Sequence, residues 1–263
     1  MTAIAVPSTS RQTKFLAWRS IVRTARQPIM VVPTLVFPLF LLAINASGLS
    51  AATNIPGFPT NSYLTFALAF PFIQGSIFAT NTAGTNLAED IGSGFFSRLS
   101  LTPMNGSALL AGQLAGVLLV AIVQAITYLL VGLAAGAHFE AGLAGVPVLF
   151  ALSFSISAAF GAFGLFVGLR SGSGEAVQGL FPLMFVLLFL SSASIPRDLI
   201  QQDWFQTAAT INPVSYVIEA VRSLFITGWD GEALALGFTV AIVFFVVSLA
   251  AASFAMRGRM ERT

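Results

Sequence analysis

The sequence predicts an all-α polytopic membrane protein with six transmembrane helices. Of its 263 residues, 56% are hydrophobic and only 8% are charged. A soluble domain carries about 25% charged residues, so this composition excludes a water-soluble globule. The apolar residues also form runs that can cross a bilayer, which takes about 20 residues for each helix. The predicted spans are residues 28–47, 62–83, 107–136, 143–169, 176–194 and 233–255.

The residues before the first span are polar and then basic. We predict a disordered tail over residues 1–13 and a single transmembrane domain over residues 14–256. From Lys14 to Arg26 the sequence KFLAWRSIVRTAR places basic side chains on one helical face and apolar side chains on the adjoining face. This pattern is typical of a helix that lies in the membrane interface. The residues that we assign to this interfacial helix are Trp18, Arg19, Arg23 and Arg26.

One charged segment separates the second and third predicted spans. Residues 27–88 and 99–139 contain no Asp, Glu, Lys or Arg, whereas Glu89, Asp90 and Arg98 lie between them. The apolar residues at helical spacing in this segment predict a short amphipathic helix with one charged face. Its two glycines would each cost a helix roughly 1 kcal/mol, so we expect it to be short or bent. Such a helix either connects two spans passively or presents a surface to a soluble partner.

The distribution of Lys and Arg predicts the orientation in the membrane. With six spans both termini lie on the same side, and of the 12 basic residues all except Arg197 and Arg222 lie on that side. We therefore expect both termini, the segment around Glu89 and the connection around Arg170 to be cytoplasmic. Residues 257–263 are predicted to form a basic cytoplasmic tail.

The longest connection precedes the sixth span and contains a second amphipathic helix. Asn212 is a favourable N-cap and Pro213 a favourable first helical residue. Glu219 and Arg222 are three residues apart and are predicted to pair. The helix is too short and too charged to span, so we expect a re-entrant or interfacial helix on the outer side. Its aromatic anchors would be Trp204, Tyr216 and Trp229.

The depth of this outer helix decides what its charged pair does. A pair that enters the outer leaflet would shape an exit, because charges inside a membrane are costly and usually functional. A pair at the headgroups would simply be solvated. Both readings stay open at this point. The residues that we assign to the outer helix and exit are Asn212, Pro213, Tyr216, Glu219 and Arg222.

The sequence lacks the side chains that catalysis or proton-driven transport would need. The six predicted spans contain no Asp, Glu, His, Lys or Arg, and proton-driven transporters normally use such residues. The chain has no cysteine, and its single lysine is Lys14, so the nucleotide-binding motif GxxxxGK[ST] is absent. We predict no catalytic, metal-binding or cofactor-binding residues in this chain. If ATP drives it, the ATPase is a separate polypeptide.

The order of these elements resembles the type-2 ABC exporter permeases, most closely the daunorubicin-resistance-like membrane subunits of bacteria. Two motifs carry the resemblance in their correct places among six spans. The first is NLAEDIGSGFFSRLSLTP, between the second and third spans. The second is NPVSYVIEAVRSLF, before the sixth span. The first motif departs from the family pattern at Gly92-Ser93-Gly94, where a basic or bulkier residue is common.

The resemblance implies a permease subunit that moves its substrate outward across the bacterial plasma membrane. Apolar spans without charges suit an amphipathic, lipid-like or drug-like substrate, but they would equally suit passive walls. The resemblance implies a homodimer, or a pair with a similar permease, and cytoplasmic ATPase subunits that bind ATP and Mg. It also implies a coupling helix that docks on the ATPase, formed by Glu89, Asp90, Ile91, Phe95, Phe96 and Arg98. The alternatives are a secondary transporter and a non-transporting membrane scaffold, and co-purification of an ATPase would discriminate between them.

Overall fold

The structure is a computed structural model that describes residues 8–100 and 105–260. All regular secondary structure within those residues is helical, and no β-strand occurs among them. The α-helices are α1 (Thr9–Ala25), α2 (Pro28–Gly48), α3 (Tyr63–Ala67), α4 (Ala69–Gly92), α5 (Phe95–Ser100), α6 (Gly106–Ala134), α7 (Gly142–Ser171), α8 (Gly174–Gly179), α9 (Phe181–Phe189), α10 (Asp203–Ile211), α11 (Pro213–Ile226) and α12 (Gly231–Met260). Short 3₁₀ turns occur at Ser50–Asn54 and Arg197–Leu199.

Five helical stretches within the described ranges are long and apolar enough to cross a bilayer. They confirm the prediction of an all-helical polytopic membrane protein and correspond to the first four predicted spans and the sixth. The second is longer than expected, because the helix continues past residue 83 to Gly92. The five stretches are Pro28–Gly48, Tyr63–Gly92, Gly106–Ala134, Gly142–Ser171 and Gly231–Arg259.

The fifth predicted span, residues 176–194, is not one regular helix. It consists of α8 and α9, which meet at Leu180, and the whole helical stretch covers only Gly174–Phe189. Pro182 lies in the first turn of α9, where its missing N–H is tolerated, although it would interrupt a continuous helix. The count of six spans therefore stays a prediction.

The broken helix nevertheless follows α3 and α4 along most of their length. The ring of Phe181 lies 5.0 Å from that of Phe78, and the ring of Phe189 lies 6.1 Å from that of Phe70. Beyond α9, the hydroxyl of Tyr63 donates to the carbonyl of residue 194 at 2.8 Å. The segment thus runs antiparallel to α4 and ends beside the start of α3.

The centre of the bundle is a close contact between α4 and α7. A Cβ added to Gly164 would lie 2.1 Å from the carbonyl oxygen of Thr80, and one added to Gly168 would lie 2.6 Å from that of Gly84. Membrane helices use such small residues to bring their backbones together. The hydroxyls of two buried serines, Ser76 and Ser157, also share a hydrogen bond of 2.9 Å across this interface.

Helices occupy both of the predicted terminal tails. Helix α1 begins at Thr9, so residues 9–13 are helical rather than disordered, and Gln12 accepts a hydrogen bond from the backbone of Asn105 at the start of α6. Helix α12 continues to Met260, and its Arg259 donates to the carbonyl of Leu169 at 2.6 Å. In both cases a bond to a neighbouring helix satisfies polar groups that the sequence alone would leave to solvent. Residues 1–7 and 261–263 lie outside the described residues.

Candidate functional sites at the two ends of the bundle

A buried carboxylate joins α1, α4 and α6 at one end of the bundle. Asp90, on the last turn of α4, is 4% exposed. Both of its oxygens accept hydrogen bonds from Arg19 of α1, at 2.7 and 2.9 Å. Arg23 adds a bond of 3.1 Å and Gln113 of α6 one of 2.8 Å. These four donors satisfy the carboxylate, because a buried carboxylate requires charged or hydrogen-bonding partners in place of water.

Glu89 extends this charged cluster to the surface. Its carboxylate is half exposed and pairs with Arg23, which also donates to the carbonyl of Asn86 at 3.3 Å. Hydrogen bonding to Asp90 raises the pKa of the Arg19 guanidinium above its usual value. The bond to Asp90 therefore stabilises the charged form of Arg19. The cluster holds three helices together and leaves one acid, Glu89, in contact with water.

This geometry corrects two predictions about the charged residues. Asp90 was expected to face water on a docking surface, but it is buried and holds α1 against α4. Arg19 and Arg23 were expected to lie among headgroups, but they turn towards Asp90 and Glu89 instead. The reason is the length of α4: because the helix continues through Gly92, the residues of its last turn face α1 and α6. Local sequence cannot show contacts between residues that lie about seventy positions apart.

The predicted coupling helix is divided between two helices. Glu89, Asp90 and Ile91 complete α4, whereas Phe95, Phe96 and Arg98 lie on the short helix α5. The chain changes direction at Gly94, which has a φ of +72° that favours glycine. This confirms the expectation of a short or bent element. Thr102 and Pro103 of the same motif lie outside the described residues.

Helix α5 contacts the charged cluster directly. The guanidinium of Arg19 lies 4.0 Å from the ring centroid of Phe95, a cation–π contact. Phe96 is buried, and Arg98 is exposed. Arg19 therefore contacts both the end of α4 and the first turn of α5. The position of α5 depends on the same guanidinium that neutralises Asp90.

At the opposite end of the bundle, α10 and α11 form a hairpin, and α11 packs against α12. The side-chain amide of Asn212, between the two helices, donates to the carbonyls of Leu187 and Leu190 at the end of α9, at 2.6 and 3.1 Å. Its oxygen accepts from the backbone of Val214 at 2.9 Å, as expected of an N-cap. A Cβ on Gly237 of α12 would lie 2.3 Å from that of Ala220. Helix α11 therefore packs beside the first two turns of an apolar helix that is long enough to cross a bilayer.

Arg222 does not pair with Glu219, in contrast to the prediction. Its Nε donates to the carbonyl of Phe66 at 3.2 Å, and its Nη2 donates to the carbonyls of Ser192 and Ala193 at 2.8 and 3.0 Å. The guanidinium also lies 3.6 Å from the ring centroid of Phe66. Arg222 is 6% exposed, so these carbonyls take the place of the water that it has lost. The side chain joins α3, α11 and the segment after α9.

Glu219 pairs instead with Arg197, with 2.5 Å between Oε2 of Glu219 and Nη2 of Arg197. Arg197 also lies over the ring of Tyr216, 4.6 Å from its centroid. Both side chains of the ion pair are about one quarter exposed. They border a cavity of about 520 Å³ whose wall also includes Arg222 and Asp230. Of the predicted anchors, Trp204 and Trp229 are exposed on this side.

Comparison with known proteins identifies the family. The sequence profile of the ABC-2 type transporter family matches residues 11–226, which include the charged cluster, α5 and the hairpin. The chain belongs to this family. It is similar to the daunorubicin resistance ABC transporter permease protein DrrB1 of Streptomyces coeruleorubidus, with 29% identity over 213 residues, 79% of this chain and 72% of that protein. It is also similar to the transport permease ycf38 of Cyanophora paradoxa, with 26% identity over 219 residues, 80% of this chain and 72% of that protein.

These relationships establish this chain as the membrane-spanning permease subunit of an ABC exporter. Permeases of this family work with an ABC ATPase.

Two residues of the candidate sites were missed in the sequence. Gln113 binds Asp90, and its only signal was a polar side chain within an apolar span. Arg197 binds Glu219. The feature of the sequence that could have identified it is that Arg197 and Arg222 are the two basic residues predicted on the outer side of the membrane.

Proposed function

We propose that a separate ABC ATPase drives this permease through α5 and the adjoining turn of α4. The observation that carries the proposal is the position of α5, which follows the charged cluster and is held there by Arg19. Arg98 on α5 and Glu89 on α4 are both exposed, so a soluble protein could contact their charges. Complementary charges at such a surface set specificity and association rate.

The α3–α4 rod, residues 63–92, provides a path from this surface to the other end of the bundle. About 30 residues of helix extend roughly 45 Å, since each residue rises 1.5 Å. Near one end of the rod, Asp90 is bound by α1 and α6; near the other, the carbonyl of Phe66 is bound by Arg222 of α11. Movement of α5 by the ATPase would therefore shift the rod and act on the hairpin.

The hairpin and its polar cavity support an exit on the α11 side. Arg197 and Glu219 border the cavity and remain partly exposed, so they can reorganise when α11 moves. In the alternating-access cycle that we propose, closure of the ATPase displaces α5, and the displacement loosens the contacts of Arg222. Residues Asn212, Pro213 and Tyr216 hold the hairpin turn during this change.

The substrate that we propose is amphipathic, lipid-like or drug-like. The predicted spans contain no charged side chain, which suits a cargo with a large apolar part. The named relative, a daunorubicin resistance permease, supports a drug-like molecule. ATP and Mg would bind the partner ATPase, and we assign no catalytic or cofactor residue to this chain.

We further propose a homodimer, or a pair with a similar permease, in the bacterial plasma membrane with both termini cytoplasmic. The family resemblance supports the pairing, and the predominance of Lys and Arg on the α5 side supports the orientation. In this orientation α5 faces the compartment that contains ATP. Binding of a soluble ATPase at α5 would therefore support the orientation as well as the docking site.

The test is co-purification of the ATPase from the native host, followed by reconstituted transport. We expect Glu89→Lys to lower ATPase binding by about tenfold or more, which corresponds to 1.4 kcal/mol, since it reverses an exposed charge at the docking surface. Glu175→Lys is the matched control, because it reverses an exposed acid on α8. Apparent Tm identifies any variant that has lost its fold.

Two results would contradict the proposal. If Glu89→Lys binds the ATPase and transports as well as Glu175→Lys, the docking surface is elsewhere. If the wild-type chain transports without any ATPase, a secondary transporter is the better description, and if it neither transports nor binds an ATPase, a scaffold is.

A further inference from the structure

A groove with apolar walls lies between α7, α9, α11 and α12. Its volume is about 510 Å³, within the range of roughly 300–1,000 Å³ that is typical of ligand pockets. Thr239 is its only lining residue with a polar side chain. The groove is separate from the polar cavity beside Arg197 and from the charged cluster around Asp90. A site with a single hydroxyl in its lining selects mainly for shape and hydrocarbon content.

The inner wall of the groove is made of residues from α7 and α11. Ile156 and Phe160 of α7 are at most 4% exposed, and Val214 and Val217 of α11 are at most 7% exposed. Protein atoms cover most of each of these side chains, so they form the inner wall of the groove and present little surface to it. An occupant would touch the first turns of α11, directly after the capping residue Asn212.

The mouth of the groove opens between exposed apolar side chains. Leu187 of α9, Val243 and Val247 of α12 form its rim and are 38%, 56% and 60% exposed. Helix α12 is one of the stretches that can cross a bilayer, so the medium around this rim is hydrocarbon. The species present at high concentration at the mouth is therefore the lipid tail.

The length of the groove also fits a tail from one leaflet. Along α12 it extends from Thr239 to Val247, eight residues or about 12 Å at 1.5 Å per residue. Half of a hydrocarbon core of about 30 Å is about 15 Å. Thr239 is an exposed residue at the end of the groove nearest to the start of α12, about 12 Å along the helix from Gly231, so a tail from that leaflet would enter the groove below its headgroup.

We propose that this groove binds one acyl chain of a bilayer phospholipid from the leaflet on the α11 side, and that the bound chain supports the foot of the α10–α11 hairpin. The proposal does not depend on the docking of an ATPase or on the exported substrate. It assigns a structural lipid to the space between α11 and α12.

Fluorescence quenching by a phospholipid with brominated tails tests the proposal. The three natural tryptophans are more than half exposed, so the full-length chain can be purified in detergent with Trp18→Phe, Trp204→Phe and Trp229→Phe. A single reporter is then introduced by Val243→Trp at the rim. Val246→Trp is the matched control, since Val246 is 57% exposed on the same helix but does not line the groove.

We expect brominated lipid to quench the reporter at position 243 in a saturable manner that levels off at one lipid per chain. The control at position 246 should lose fluorescence only in proportion to the lipid content of the micelle. If Val243→Trp does not fold, Leu187→Trp reports from the opposite rim of the same groove. Equal, proportional quenching at both positions would show only non-specific lipid contact and would overturn the proposal. A complete lack of quenching at the rim would also overturn it, because a second copy of the chain or another group would then cover the groove.

Discussion

Removal of the Asp90 carboxylate should destabilise the protein far more than removal of its neighbour Glu89. Breaking a buried ion pair costs about 3–5 kcal/mol, since the remaining charge is left without its partner. Arg19 and Arg23 are 37% and 19% exposed, so water can partly solvate them after Asp90→Ala, and we expect about 3 kcal/mol, the lower limit of that range. Glu89 is half exposed, and Glu89→Ala should cost about 0.2–1 kcal/mol, as for other surface ion pairs.

The assay is thermal unfolding of the purified variants in one detergent at one scan rate, because membrane proteins often unfold irreversibly. With a shift of about 2–4 °C for each kcal/mol, Asp90→Ala should lower the apparent Tm by about 6–12 °C and Glu89→Ala by at most about 4 °C. Asp90→Asn keeps the shape and should fall between the two. An Asp90→Ala variant that melts with the wild type, or a Glu89→Ala variant that shifts as far, would refute the cluster as described.

Two further predictions concern the contacts between helices. Gly164→Ala should lower the apparent Tm strongly, because its Cβ would lie 2.1 Å from the backbone of Thr80, whereas Gly179→Ala, with no atom within 4 Å, should not; similar melting of both variants would argue against the α4–α7 contact. Arg222→Lys should lower transport and stability together, because one ammonium cannot bond the same three carbonyls and stack on the Phe66 ring. Glu219→Gln disturbs only a partly exposed ion pair and should lower the free energy of unfolding by under about 1 kcal/mol. Transport and thermal unfolding are the measurements, and equal losses in Arg222→Lys and Glu219→Gln would contradict this prediction.

The sequence was sufficient for the fold class, because long uncharged runs have few stable alternatives to membrane helices. The predicted spans coincide with the centres of five long helices. The start of α11 directly after Asn212 was also predicted, because capping and proline effects depend only on adjacent residues. The structure departs from the prediction at the fifth predicted span, which proline divides and whose helix ends at Phe189, and at residues 9–13, which are helical rather than disordered. The break at Pro182 is a local effect of proline, whereas the extension of α1 is supported by the bond between Gln12 and Asn105, 93 residues apart.

The candidate sites were predicted less completely than the fold. The motif around Glu89 was recognised as amphipathic, but its charges are divided between a buried cluster and a surface. The choice depends on Arg19, about seventy residues away. In the same way, helical spacing suggested a bond between Glu219 and Arg222, whereas Arg197 and three carbonyls are the actual partners. Spacing identifies which residues can meet on one helix, but tertiary packing decides which of them do.

The early end of α9 restricts the substitutions that residues 190–194 can tolerate. The carbonyls of residues 187, 190, 192, 193 and 194 accept bonds from Asn212, Arg222 and Tyr63. If α9 continued for another turn or two, its own amides would occupy these oxygens, and a buried guanidinium would lose its acceptors. Substitutions that favour helix in residues 190–194 should therefore be harmful even though they improve local propensity. In this protein an incomplete helix is a source of acceptors, and selection should preserve its irregularity.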